Sequence, residues 1–113
     1  MNTRVKTILE HMLEDTEEAI LFAEEAGSFD VFSGDIKTRK AVIMSLLNIG
    51  ELAGHLPIEF TDAYPELPWR DMVNMRNIAA HGYHIMSLDV IWDTVKGSLP
   101  ELLIFLQKQL TNE

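Results

Sequence analysis

Apolar residues recur along the chain at helical rather than strand spacing. Between residues 3 and 26, Val5, Ile8, Met12, Ala19 and Phe22 stand three, four or seven apart, with Leu9, Leu13 and Ile20 beside them and carboxylates opposite. The pattern predicts a long amphipathic helix, stopped at Gly27 by a residue that tolerates the left-handed turn. A second run extends from about Ile36 to Leu56, with Asp35 placed to cap it and Val42, Leu46, Ile49 and Ala53 as its stripe. Ile43, Leu47 and Leu52 widen that stripe beyond one face. So wide an apolar surface in a short chain predicts burial on two sides, the second against another subunit.

The periodicity breaks between Pro57 and Pro68, where Tyr64-Pro65-Glu66-Leu67-Pro68 reads as an ordered, proline-stiffened connection. Pro68 suits the first turn of a third helix, from Trp69 to about Ala80, which Gly82 would end. Ser87 is the expected cap of a fourth, with Asp89 in its first turn and Val90, Ile91, Val95, Leu99, Leu102, Leu103, Leu106 and Leu110 as its apolar positions. Gly97 and Pro100 predict a kink there, or a break into two helices. No segment alternates as a strand does, and no repeat is visible. The expected architecture is an all-α, up-and-down bundle of four to five helices, one domain over residues 1–113, forming a dimer.

Composition narrows the possibilities. The 113 residues are 47% hydrophobic and 24% charged, with 6 Gly and 4 Pro, which suits one folded domain with one site or a site shared between chains. Without cysteine there is no disulfide framework and no thiolate metal site, which fits a cytoplasmic location. Acidic residues from Glu10 onward interrupt any signal-like run, and the longest apolar stretches are far too short to span a membrane. The net charge of −9 argues against a general RNA-coating protein, because phosphate binding depends on Lys and Arg displacing counterions. A nuclease needs only a locally basic groove, and Trp69 to His84 allows one: Arg70 and Arg76 face a single acid, Asp71. The negative remainder suits attraction of a basic protein partner.

The chemistry-bearing stretch is Arg76-Asn77-Ile78-Ala79-Ala80-His81-Gly82-Tyr83. Metal-free cleavage of RNA requires a base for the ribose 2′-hydroxyl proton, an acid for the leaving 5′-oxygen, and a cation for charge developing on phosphorus. An unperturbed imidazole has its pKa near neutrality, so His81 can serve as base or acid, and Arg76 offers planar donors matched to phosphate oxygens. Five positions apart, they stand about 140° around an ideal helix, so one chain does not bring them onto one face. A two-fold axis through the region would set two arginines and two histidines around one groove. Taken singly, each residue has a plainer role: His81 and Gly82 as a helix end, Tyr83 as a half-buried ring, Trp69 and Trp92 as core or interface anchors.

Arg76-Asn77, three further residues, then His81, Gly82 and Tyr83 resembles the R-x-x-x-x-H-x-Y signature of HEPN toxins of the HepT type, including the polar residue directly after the arginine. The resemblance extends through Ile49-Gly50-Glu51, Tyr64-Pro65-Glu66-Leu67-Pro68-Trp69-Arg70 and Val90-Ile91-Trp92. It implies a dimeric helical bundle whose composite cleft is lined by arginine and histidine from both chains, and a metal-independent endoribonuclease with no cofactor. Arg76 and His81 would be catalytic, with Asn77 orienting them. Tyr83 would be the tyrosine that an MNT-type nucleotidyltransferase antitoxin modifies with AMP. The substrate implied is RNA, with neither DNA nor membrane expected. A noncatalytic HEPN partner that binds and restrains a nucleotidyltransferase is the alternative. Glu51 is a candidate to orient a cleft residue, or else an exposed helical carboxylate. His84 beside His81 resembles a metal-ligand pair, but His11 and His55 offer no clear completion, and no metal is expected.

Overall fold

Asn2 opens the first helix by accepting the Val5 N–H on its side-chain oxygen at 2.8 Å, and Gly27 closes it at φ 82°, its N–H returning to the Ala23 carbonyl. Between them α1 (Thr3–Ala26) buries Val5, Ile8, Leu9, Met12, Ala19 and Ala23, close to the predicted stripe, while Phe22 is half-buried. Thr16 interrupts this seam, fully buried, and its hydroxyl donates to the Met12 carbonyl at 2.7 Å, so the polar atom is not stranded. The computed structural model describes residues 1–82 and 87–111, and of residues 77–82 the backbone alone.

Two six-residue helices lie outside the periodic runs. α2 (Phe29–Gly34) starts where Ser28 accepts the Val31 N–H, and its purpose is local: it drives Phe32, wholly buried, into the core. Burying a side chain of that size stabilises the fold by roughly 1.5–3 kcal/mol. α3 (Ile36–Ala53) follows at once, and Asp35 caps it as expected, accepting from the N–H groups of Lys37 and Thr38. Thr38 adds its own hydroxyl to Asp35 at 2.8 Å, and this bond chiefly holds the Asp35 carboxyl below its ordinary value. α3 ends at Ala53 rather than Leu56, and a turn through Gly54 and His55 carries Leu56 back into the core.

α4 (Ile58–Ala63) fills the start of the stretch where the apolar period breaks, and the connection expected over Tyr64 to Pro68 follows it. Its six residues are too few to show a period, but Pro57 supplies the entry and its carbonyl accepts from Phe60. Phe60 and Tyr64 then pack with Trp69 and Phe105, centroids 5.1 to 6.4 Å apart. The Trp69 indole N–H donates to the Tyr64 carbonyl at 2.9 Å, which pins the connection to α5 (Trp69–Gly82). α5 begins directly after Pro68, as its ring predicts, and runs two residues past Ala80.

α6 (Leu88–Asp93) and α7 (Leu99–Thr111) are joined by a π turn over Thr94–Ser98, so Gly97 and Pro100 leave a widened turn and not a break. The expectation for Ser87 is half met. It stands at the cap position, but its side chain makes no capping bond, and its carbonyl alone engages the helix by accepting from Ile91.

Among the described residues the long members are therefore four, α1, α3, α5 and the α6–α7 run, with α2 and α4 as short additions to an all-α bundle. α3 packs against both α1 and α5, and α1 also packs against α7. One continuous core results, from Leu9 and Met12 through Val42 and Leu46 to Ile91, Val95, Leu102 and Leu106. Trp92 packs between Phe29 and Phe32 at its margin. No helix among the described residues is long and apolar enough to cross a membrane.

Candidate functional site

Gly50 faces α5 from a buried position on α3, and the two backbones meet there. A Cβ added at Gly50 would collide with the Met72 carbonyl and stand 2.6 Å from Arg76 Cβ, so only a glycine permits the approach. The next residue, Glu51, is thereby brought alongside Arg76. Arg76 Nε donates to Glu51 Oε2 at 2.6 Å, a short charge-assisted bond between helices 25 positions apart in sequence. One helical turn further on, His55 Nε2 meets the other carboxylate oxygen, Oε1, at 3.3 Å.

Glu51 thus bridges an imidazole and a guanidinium on the molecular surface. The side chains of Arg76, Glu51 and His55 are 42%, 49% and 56% exposed, open to a ligand and to solvent screening alike. The hydrogen bond from His55, then that from Arg76, holds the Glu51 carboxyl below its ordinary 4.5, so it stays ionised through the neutral range. An exposed pair of this kind contributes little to stability. What it supplies is orientation, because an ionised acceptor on Nε fixes the plane of the guanidinium.

Glu51, given two readings from the sequence, is an exposed helical carboxylate that also holds Arg76. Two contributors were harder to see. His55, weighed only as a metal ligand, belongs instead to Glu51, and the i, i+4 spacing of the pair was its signal. Gly50, within an otherwise apolar helical run, marks the close approach of another backbone, a meaning available to any isolated glycine inside a helix pattern. His81 lies on the last turn of α5, where Gly82 is also helical, and Asn77 follows Arg76 on that helix. The side chains of Asn77 and His81, and Tyr83 and His84 entirely, fall outside the described residues. Among the described residues no three His, Asp or Glu side chains gather in a way that could hold a metal ion.

On another side of the α3–α5 contact lies a groove of about 330 Å³, bounded by α3, α5 and the π turn. Leu46, Ile49, Met72, Met75 and Leu99 make it apolar, and Asp71, Thr94 and Ser98 supply polar edges. At its rim Val90 is exposed.

Residues 9–109 match the family described as Ribonuclease HepT-like. The chain is 38% identical over 96 residues to a protein of Methanocaldococcus jannaschii provisionally named as an RNase, covering 85% of this chain and 78% of that one. It is 42% identical over 93 residues to a protein of Thermococcus cleftensis provisionally named ribonuclease HepT, covering 80% and 84%. A provisionally named RNase of Caldanaerobacter subterraneus is 35% identical over 94 residues, covering 83% of each. No solved structure matches the chain at a significant level.

Proposed function

Because the chain belongs to the ribonuclease HepT-like family, we propose that it is an endoribonuclease of the HEPN type, the toxin partner of a nucleotidyltransferase antitoxin. One observation carries the assignment to a site: Glu51 holds Arg76, the first residue of the Arg76 to Tyr83 stretch, at the surface in a fixed orientation. A structural arginine has no need of a dedicated, ionised, exposed acceptor, whereas a phosphate-binding one gains from being preorganised.

In the proposed reaction the ribose 2′-oxygen attacks the adjacent phosphorus while the bond from phosphorus to the 5′-oxygen breaks, leaving a 2′,3′-cyclic phosphate. A His81 imidazole takes the 2′-hydroxyl proton and a second, protonated, gives one to the departing oxygen. Arg76 neutralises charge on the phosphoryl oxygens, and Asn77 steadies the pair. The two imidazoles come from two chains, since Arg76 and His81 stand about 140° apart on one helix. The apolar groove beside α5 supports such a dimer, because it offers surface for a second copy to cover. A monomeric mass by light scattering at micromolar concentration would oppose it.

The antitoxin, an MNT-type nucleotidyltransferase, transfers AMP from ATP to the Tyr83 hydroxyl with release of pyrophosphate. The adduct adds bulk and negative phosphate at the cleft and so repels RNA. Mass spectrometry after incubation with such an enzyme and ATP checks this step, which fails if Tyr83 is unchanged.

The deciding experiment incubates folded wild type and His81→Ala with mixed RNAs in EDTA and analyses fragment ends. Cleavage by wild type alone, leaving cyclic phosphate, supports the reading. A second reading, a noncatalytic partner that restrains a nucleotidyltransferase, draws support from the net charge of −9. Absence of cleavage by either protein, with Tyr83 unmodified, would favour it.

A further inference from the structure

The chain's charge is unevenly shared among its helices. α3 carries Lys37, Arg39 and Lys40 against a single acid, Glu51, and α5 carries Arg70 and Arg76 against Asp71. This packed pair is therefore net +3 in a chain of net −9, which leaves −12 for everything else. Acidity is concentrated on α1, with seven carboxylates against Arg4 and Lys6.

The positive charge on α3 is also directional. At 100° per residue Lys37, Lys40, Met44 and Glu51 fall within a sector of about 60°. All four are exposed, Met44 to 56%. No acid lies between Lys40 and Glu51, and Glu51 itself is engaged by Arg76 and His55. Asp35, which caps the helix, and Asp15 of α1, which accepts from Asn48 at 3.4 Å, stand at the margins of this face. From Lys37 to Glu51 the strip is about 21 Å long, enough for several phosphates of a nucleic-acid strand.

We propose that this face of α3 is a track for single-stranded RNA, with Lys37 and Lys40 holding backbone phosphates and the strand running along the helix toward Arg76. The track rests on the ribonuclease reading and explains how so acidic a protein meets a polyanion: the strand is admitted on one face and repelled from the others. Lys37 and Lys40 bind phosphate without reading sequence and take no part in the bond-breaking step.

The test measures binding of a fluorescent 15-nucleotide RNA carrying 2′-O-methyl groups throughout, which no 2′-hydroxyl attack can cleave. Wild type is compared with Lys37→Ala/Lys40→Ala over a range of salt concentrations. Removing two phosphate contacts should flatten the slope of log affinity against log salt by about 1.4, and weaken binding roughly 25-fold at 0.1 M salt. Both lysines are exposed, and matched thermal unfolding verifies that the variant is folded. Equal affinity and slope for the two proteins, or no binding by wild type, overturns the track. Polyglutamate bound as tightly, with the same lysine dependence, would overturn it in favour of an acidic protein partner. Cleavage of a dinucleotide, too short to reach the lysines, reports on the catalytic reading separately and should be unchanged in the variant.

Discussion

Arg76 lies flush against Gly50, so close that a single added carbon on the glycine would stand 2.6 Å from the arginine Cβ. The contact sets the depth at which α5 rides on α3, and that depth delivers the guanidinium to Glu51.

Substituting this glycine should therefore destabilise the protein, although Gly→Ala inside a helix ordinarily stabilises by about 1 kcal/mol. Forcing the helices apart costs about 1–3 kcal/mol, and chemical denaturation of Gly50→Ala should show a loss in that range. Gly97 makes the control. A Cβ there meets nothing, so Gly97→Ala should stabilise by about 0.4–1 kcal/mol. Shifts of the same sign in both variants would contradict the account of Gly50.

Arg76→Ala should lower RNA cleavage by about 100- to 1000-fold, the usual effect of losing one preorganised donor to a developing charge. Arg76→Lys should recover only part of this, since an ammonium lacks the Nε donor that Glu51 orients. Glu51→Gln should fall between wild type and Arg76→Ala and act mainly on kcat. A Glu51→Gln enzyme with unaltered kcat would reduce Glu51 to a surface carboxylate.

Glu51 also predicts a pH signature. Its carboxyl is held below 4.5 in the folded chain by His55 and Arg76. A depressed carboxylate stabilises the fold above its unfolded value, and the contribution disappears as pH falls through the folded value. The stability difference between wild type and Glu51→Gln should be constant near neutrality and shrink below about pH 4.5. Unfolding curves at several acidic pH values measure it; a gap that widens toward low pH reverses the sign and sinks the assignment.

Phe32→Ala should cost about 3–5 kcal/mol, because the ring is fully buried and packs on Trp92 with centroids 5.1 Å apart. A loss below about 1 kcal/mol would mean that α2 is only loosely docked.

The long helices were legible because each repeats its apolar spacing over several turns. The capping of α3 by Asp35 and the stop at Gly27 were legible because each relies on one residue's local chemistry. α2 and α4 were not, since six residues hold less than two turns and their anchoring rings, Phe32 and Phe60, find partners far along the chain. Ser87 misled because a suitable side chain does not oblige the bond to form. Of the site, Arg76 and Glu51 could each be singled out, but not their contact, which depends on how closely two helices approach. That approach is written in Gly50 only as the absence of a side chain.

The π turn between α6 and α7 has a meaning for how such a chain can change over generations. Across it the Leu99 N–H reaches back to the Thr94 carbonyl, five positions instead of four, so the helix accommodates one residue more than a regular turn would. Pro100, which has no N–H to give, follows at once in that slack. A one-residue deletion at Gly97 would remove the slack and ask the helix to close regularly around a proline ring. Length variation in this run should therefore be inherited together with the identity of residue 100: a variant that loses the extra residue would be viable when the proline is replaced as well.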